Sequence, residues 1–172
     1  MAGELLTIEL KGFAERAAHF QAAALRARDL TPVWDYAHDI WLHEIAQQFM
    51  SEGSYFLGSG WAELSPAYAI AKERHARPPA PFGILYRTGH LFEALSNEGA
   101  DEHVFVSTPE MVLLGARGEA GRIGSYHQTG TATMPARPII RMRNRFKQLL
   151  FRAAVRWITG GELPGRSEAE AA

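Results

Sequence analysis

The sequence predicts a single α+β domain, in which a small antiparallel sheet packs with N-terminal helices and a C-terminal helix. Apolar residues recur every three or four positions in the first fifty residues and again after position 143, as in amphipathic helices. Between these regions two β-rich runs lie close together, with turn residues between them. A chain of 172 residues has the length of one domain, which we place at residues 1–163, followed by a tail at 164–172 that we expect to be flexible.

The N-terminal elements are predicted to be a strand and two helices. Residues 5–10 alternate between apolar and polar side chains, which predicts a short strand ended by Gly12. An alanine-rich apolar stripe then predicts the first helix, and it contains Phe13, Ala17, Phe20, Ala24 and Leu25. Thr31 is a suitable N-cap and Pro32 a suitable first helical residue, so we expect the second helix to run from there to about Ser51.

The central region is predicted to contain loops and short helices. Three glycines interleaved with aromatic residues at positions 53–64 indicate an ordered loop held by the aromatic side chains. The pair Ser65–Pro66 predicts a short helix to about His75, and the prolines that follow must interrupt it. Thr88 is expected to cap another short helix, which turns Leu91 toward the core.

The C-terminal half is predicted to begin with strands and end with a helix. Runs at 104–107 and 111–116 predict a hairpin. The glycines at 115–130 indicate an irregular connection, and two prolines predict that 132–140 is extended. Apolar spacing from Arg143 to Thr159 predicts the final helix, with two glycines after it.

The net charge of −1 conceals a strong separation of charge along the chain. Residues 1–119 carry 16 acids and 9 bases, whereas residues 120–161 carry eight bases and no acid. Such a region faces nucleic acid or an acidic neighbouring subunit, or it is a solvated helix face. The candidate interface or DNA-channel residues are Arg137, Arg141, Arg143, Arg145, Lys147, Arg152 and Arg156.

No pattern for catalysis or metal binding is recognisable. His43 and Glu44 begin like a zinc-protease helix, but Gln47 stands where the second histidine would be. The other histidines are isolated in the sequence, and there is no phosphate-binding loop or nucleophile elbow. We therefore expect no catalytic residue, no metal ligand and no cofactor, with a small hydrolase that uses distant histidines as the enzymatic alternative.

The composition is that of a protein in a reducing compartment. The chain has no cysteine, which excludes disulfides and thiolate metal sites. It has no basic, apolar leader and no apolar run long enough to span a bilayer. We expect a soluble intracellular product.

Three short blocks follow one another in the chain. The first reads GWAELSP at 60–66, with Tyr68 and Lys72 behind it, and the second reads ILYRTGHL at 84–91. The third has two parts, SYHQTGT from 125 and MPARPII from 134. The motif residues are Trp61, Leu64, Thr88, Gly89, Leu91, Tyr126, His127, Gln128, Gly130, Pro135, Ala136 and Pro138.

In order and spacing these blocks resemble the virion morphogenesis proteins of Mu-like and P2-like phages, the tail completion family. The resemblance covers roughly residues 49–142. It implies a structural virion protein that completes the tail end or joins the tail to the head at the neck, as a homo-oligomeric ring, commonly six-fold, around the DNA channel. The implied location is the virion, and the host cytoplasm during assembly.

The partners that the resemblance implies are further copies of the chain and other neck proteins, namely a connector or adaptor, a tail terminator or a tail tube protein. Non-specific contact with packaged DNA is also implied, and no membrane. The alternative function is that of a sequence-independent DNA-binding accessory protein, because backbone binding needs only positive charge.

Four residues within the blocks have expected structural roles. Arg137 lies between two prolines, and it is expected to clamp a carboxylate, to anchor an interface or to form a salt bridge within the subunit. Tyr126 and His127 are expected to pack in the core beside a final strand, and Trp61 is expected in the core.

Overall fold

The computed structural model describes residues 12–75 and 83–164, which form seven helices and one two-stranded antiparallel sheet. The α+β fold class is thereby confirmed. The predicted strand at 5–10, the proline-rich interruption after His75 and the tail beyond Pro164 lie outside the described residues.

Short helices and the hairpin lie between the longer helices of the two ends. In chain order the elements are α1 (Phe13–Arg26), α2 (Thr31–Met50), α3 (Ser54–Leu57), α4 (Pro66–His75), α5 (His90–Ser96), β1 (His103–Ser107), β2 (Val112–Ala116), α6 (Gly118–Thr129) and α7 (Asn144–Ile158).

Helix α2 is the centre of the fold because it contributes to two hydrophobic clusters. Toward its C-terminus Ile45 and Phe49 pack with α3, α5, α6 and the extended segment. Toward its N-terminus Val33, Tyr36, Ala37 and Ile40 pack against α7. The first cluster contains Ile45, Phe49, Phe56, Trp61, Leu91, Ala94, Leu95, Ala120 and Ile139, and the second contains Val33, Tyr36, Ala37, Ile40, Phe146 and Ala153.

Two predicted helix caps were wrong in position. The N-cap of α2 is Leu30, so Thr31 already lies in the helix, and its amide donates to the carboxylate of Asp29 at 3.0 Å. The N-cap of α5 is Gly89 in a left-handed conformation, and Thr88 precedes it. In both helices the N-cap is the residue next to the threonine whose side chain favours that position.

The predicted hairpin is present, and its strands pair from His103 with Ala116 to Ser107 with Val112. The predicted irregular connection after it was wrong, because Gly118–Thr129 forms helix α6. A Cβ at Gly121 would lie 2.6 Å from the carbonyl oxygen of Ala116, so this glycine allows α6 to pack closely on the end of β2. Residues 132–140 form neither helix nor strand and link α6 to α7.

Candidate functional site

The carbonyl oxygen of Pro138 is the meeting point of two motif blocks. It accepts a hydrogen bond from the indole Nε1 of Trp61 at 2.9 Å and another from Nε2 of Gln48 at 3.0 Å. Gln48 is fully buried, and its Oε1 accepts from the amide of Phe56 at 2.9 Å. The extended segment is thereby fixed to both α2 and the loop that carries Trp61, which lies in the core as expected.

Gln128 fixes the same segment to α6. Its Oε1 accepts from the amides of Ile139 and Ile140 at 2.9 and 3.0 Å, and its Nε2 donates to the carbonyl of Ile140 at 2.9 Å. The amide of Arg137 also donates to the carbonyl of His127 at 2.6 Å. A glutamine supplies both a donor and an acceptor, so one side chain replaces the strand partner that this segment lacks.

Arg137 is buried, with 4% of its surface exposed, so little of its side chain is available to an interface or to the DNA channel. Its Nε donates to the carbonyl of Ala62 at 2.7 Å and its Nη2 to that of Glu63 at 2.9 Å. The expected clamp is therefore present, but it holds two backbone carbonyls and not a carboxylate. The rigid guanidinium fork suits two adjacent acceptors of this kind.

Gly130 ends α6 with a turn that no other residue fits. Its φ of 76° lies in the left-handed region, and a Cβ there would lie 2.8 Å from the amide nitrogen of Ala136. The turn reverses the direction of the chain, so that Pro135, Ala136 and Pro138 lie alongside α6.

The three motif blocks also line one cleft of about 900 Å³. Leu64, Thr88 and the buried Leu91 line this cleft, whereas Trp61 of the first block is buried in the core. The remaining lining includes Gly89, His127, Pro135 and Arg137. Residues far apart in the sequence therefore surround a single depression.

The two motif residues of α6 that were expected to pack in the core differ in exposure. Tyr126 is 46% exposed on α6, so the prediction of core packing was wrong for it, and α6 replaces the strand expected beside it. His127 is partly buried, and its Nδ1 has no hydrogen-bond partner within the described part of the chain. Burial lowers the pKa of His127, and the nearby charge of Arg137 lowers it further.

Histidines that are isolated in the sequence form two contacts in space. The Nε2 atoms of His38 and His103 lie 2.9 Å apart, and Nδ1 of His103 lies 2.9 Å from the carbonyl oxygen of Ala94. A carbonyl only accepts, so Nδ1 of His103 donates to it. His90 pairs with Glu102 at 3.0 Å.

The His38 ring is buried and stacks on Phe105, with centroids 4.1 Å apart. Burial lowers the pKa of His38, and His103 lowers it further, while nearby carboxylates act in the opposite direction. The spacing of histidines along the chain does not indicate this pair. His103 lies on β1, and only the packing of β1 against α2 brings it to His38. Within residues 12–75 and 83–164 there is no group of three or more ligands suited to a metal ion.

Besides Arg137, two further candidate bases, Arg141 and Arg143, contact their own subunit. The guanidinium of Arg143 stacks on Tyr55 at 4.3 Å from the ring centre, and Nη1 of Arg141 lies 3.4 Å from the carbonyl of Phe56. Arg143 and Arg145 also lower the pKa of the buried Glu44, although its burial raises that pKa more strongly.

The other three bases of α7 are exposed: Lys147, Arg152 and Arg156. None forms an ion pair within the described residues. Beside them, Phe151 is 71% exposed and Val155 is 45% exposed, one helical turn apart. The outer face of α7 is thus apolar at its centre and basic at its edges.

Helix α1 also carries an uncovered apolar stripe. Phe20 and Leu25 are 72% and 61% exposed, and Ala17 and Ala24 are exposed as well. The helix is tied to α7 at its C-terminal end, where Nε1 of Trp157 donates to the carbonyl of Arg26 at 3.2 Å. A helix of 14 residues is marginal in water without tertiary packing, and its contacts with α7 supply such packing at this end.

The described helices include none with the length and apolar character needed to cross a lipid bilayer. Comparisons of the chain with family models, with curated proteins and with solved structures find no match.

Proposed function

We propose that this chain is a structural virion protein of a tailed bacteriophage, which completes the tail end or joins tail to head at the neck as a homo-oligomeric ring around the DNA channel. One observation carries the proposal: the residues that resemble the tail completion family contact one another in the fold. Trp61 and Pro138 are 77 positions apart, yet they are hydrogen-bonded. A chance resemblance of short blocks gives no reason for such contacts.

The uncovered apolar surfaces support the assembly part of the proposal. Large exposed apolar patches on a single subunit mark sites of protein–protein interaction. Phe20 on α1 and Phe151 on α7 are each more than 70% exposed. The proposed partners are other copies of this chain and the adjoining neck proteins.

The proposal is tested by locating the chain in particles. Antibody against the purified protein is applied to tailed particles from the phage or prophage that encodes it, and the label is mapped by electron microscopy. We expect label at the head–tail junction or tail end, and unjoined heads and tails when the gene is deleted. Absence of the chain from intact particles would overturn the proposal.

A sequence-independent DNA-binding accessory protein is the second candidate. It is favoured by an open hollow of about 380 Å³ at the start of α7, which Arg141, Arg143 and Arg145 line. Lys147 continues this basic surface along the helix. Contact with about three or four phosphates gives a log–log salt dependence of binding with a slope of about −3.

The DNA-binding candidate is tested with the isolated protein and a random-sequence duplex at several salt concentrations. The triple variant Arg141→Glu, Arg145→Glu, Lys147→Glu reverses bases of the hollow and the next base on the helix. It is compared with Arg122→Glu, which reverses an exposed base on α6. Salt-sensitive binding that the triple variant loses and the control keeps would support this candidate. Absence of binding at low salt would exclude it.

A further inference from the structure

The β1–β2 hairpin has two different faces. On the inner face, Phe105 stacks on His38 of α2. On the outer face, Val106 pairs with Leu113, and these residues are 51% and 55% exposed. Met111 beside them is 57% exposed. A two-stranded hairpin has little stability of its own, so an uncovered apolar face is costly unless it is used.

The surroundings of this hairpin are acidic. Residues 88–116 carry five acids and no lysine or arginine, and one of them, Glu110, is exposed in the turn between β1 and β2. On the inner side of the hairpin, next to Phe105, Asp35, Asp39 and Glu98 line a hollow of about 480 Å³. The nearest base in sequence, Arg117, follows β2 and donates to the carbonyl oxygen of Asp101 at 2.7 Å.

The outer face of α7 has the complementary character. Phe151 and Val155 form its apolar centre, and Lys147, Arg152 and Arg156 flank them. The hairpin has an apolar outer face, Glu110 in its turn and further acids along its inner side, and the α7 face is apolar with basic edges. Surfaces of this kind attract each other and bury their apolar centres together.

The two faces lie on opposite sides of the subunit, because α2 separates them. Tyr36 and Ile40 of α2 pack toward α7, whereas His38 packs toward the hairpin. His38 is two residues from Tyr36 and two from Ile40, and two residues correspond to a rotation of about 200° around a helix axis. The layers are therefore hairpin, α2 and α7, with an apolar face at either end of the stack.

We propose that the outer face of the β1–β2 hairpin of one copy docks on the outer face of α7 of a second copy. Because the two faces point in opposite directions, the contact is head-to-tail, and repetition of it closes a ring or continues as a filament. The inference rests on the proposed assembly function, which it deepens by naming the surfaces through which copies join.

The test uses the absence of cysteine from the chain. Full-length Val106→Cys and Phe151→Cys proteins are oxidised separately and as an equimolar mixture under a mild oxidant, and disulfide-linked dimers are measured on non-reducing gels. We expect the mixture to give at least about tenfold more dimer than either variant alone, because docking raises the effective concentration of the two thiols. Double-variant protein is expected to give higher linked species.

The matched control replaces the hairpin position with Ile70→Cys on α4, which is 54% exposed, close to the 51% of Val106. Its mixture with Phe151→Cys is expected to give only the background yield. An equal yield from this control, or linkage as strong in a single variant as in the mixture, would overturn the head-to-tail contact.

A charge exchange gives an independent readout. Lys147→Glu, Arg152→Glu and Arg156→Glu on the α7 partner are expected to lower the mixed cross-link about tenfold, since like charges then face each other. Glu98→Lys and Glu110→Lys on the hairpin partner are expected to restore it. The proposal is contradicted if the three glutamates on α7 leave the cross-link unchanged, or if the two lysines on the hairpin partner do not restore it.

These experiments need no virion, so the two proposals fail separately. A chain that cross-links as expected but is absent from tailed particles retains the interface and loses the phage function. A chain found at the neck that does not cross-link retains the function and loses this interface.

Discussion

Gly130 lies directly against the backbone of Ala136, so that a Cβ at position 130 would be 2.8 Å from the Ala136 amide nitrogen. The left-handed φ of 76° adds a second restriction at the same residue. This contact lets the segment after α6 return along the helix and reach Gln48, Trp61 and Gln128. The close approach of two backbones is thus what holds the motif blocks together.

Gly130→Ala is expected to destabilise the protein more than Gly58→Ala. Both glycines have a positive φ, of 76° and 75°, but ψ is 176° at Gly130 and −21° at Gly58, and nothing lies within 4 Å of a Cβ at Gly58. The backbone conformation costs about 1–2 kcal/mol at Gly58 and at least as much at Gly130, and only Gly130→Ala adds about 1–3 kcal/mol for the clash. Urea denaturation followed by circular dichroism measures the difference. Equal losses would show that the contact with Ala136 contributes nothing.

Gln128→Leu is expected to lower the free energy of unfolding by about 2 kcal/mol, because it removes three hydrogen bonds to the chain at Ile139 and Ile140. The control is Gln148→Leu, at an exposed position of α7. We expect the control to change stability by less than about 0.5 kcal/mol. Hydrogen exchange should show faster exchange of the Ile139 amide in the Gln128 variant, and unaltered protection there would contradict the assignment.

Arg137→Lys is expected to cost about 2 kcal/mol, although it keeps the charge. Lysine lacks the rigid fork that reaches the carbonyls of Ala62 and Glu63 together, and a buried group that loses a hydrogen bond is costly. Arg152→Lys is the matched control on the exposed face of α7. The measurement is the midpoint of thermal unfolding of the two variants. Equal midpoints would show that Arg137 contributes no more to stability than a surface base such as Arg152.

Stability is expected to fall as the pH is lowered through about 6.5. Burial lowers the pKa of His38 and of His127 below the ordinary value of 6.5, so the unfolded chain binds more protons than the folded chain below that pH. The charges facing His38 are His103, which lowers its pKa further, and Glu98, Asp39 and Asp35, which partly oppose the shift.

The measurement is the free energy of unfolding between about pH 8 and about pH 5, a range that spans the ordinary histidine pKa. His38→Gln is expected to reduce the slope, and the exposed His19→Gln is the control that should leave it unchanged. A slope that His38→Gln does not alter would show that the buried pair does not contribute to the acid sensitivity.

Local patterns in the sequence predicted most of the secondary structure. The apolar spacing of α2 and α7 and the β-rich runs at 104–107 and 111–116 correspond to elements of the fold. These predictions succeed because helix and strand periods are properties of neighbouring residues. The exceptions are α3, a four-residue helix inside the stretch 53–64 that was expected to be a loop, and α6. The glycines of α6 indicated a loop, but Gly121 is needed for the close approach of the Ala116 carbonyl and not for a special local conformation.

The sequence by itself determined the separation of charge, the absence of cysteine and the positions of the helical and β-rich segments. Only the tertiary structure decided which bases are free, since Arg137 and Arg143 bind their own subunit while Arg152 is exposed. It alone paired His38 with His103 and left Phe20 uncovered. Such outcomes depend on contacts between residues far apart in the chain, and the local periods of a sequence do not encode those contacts.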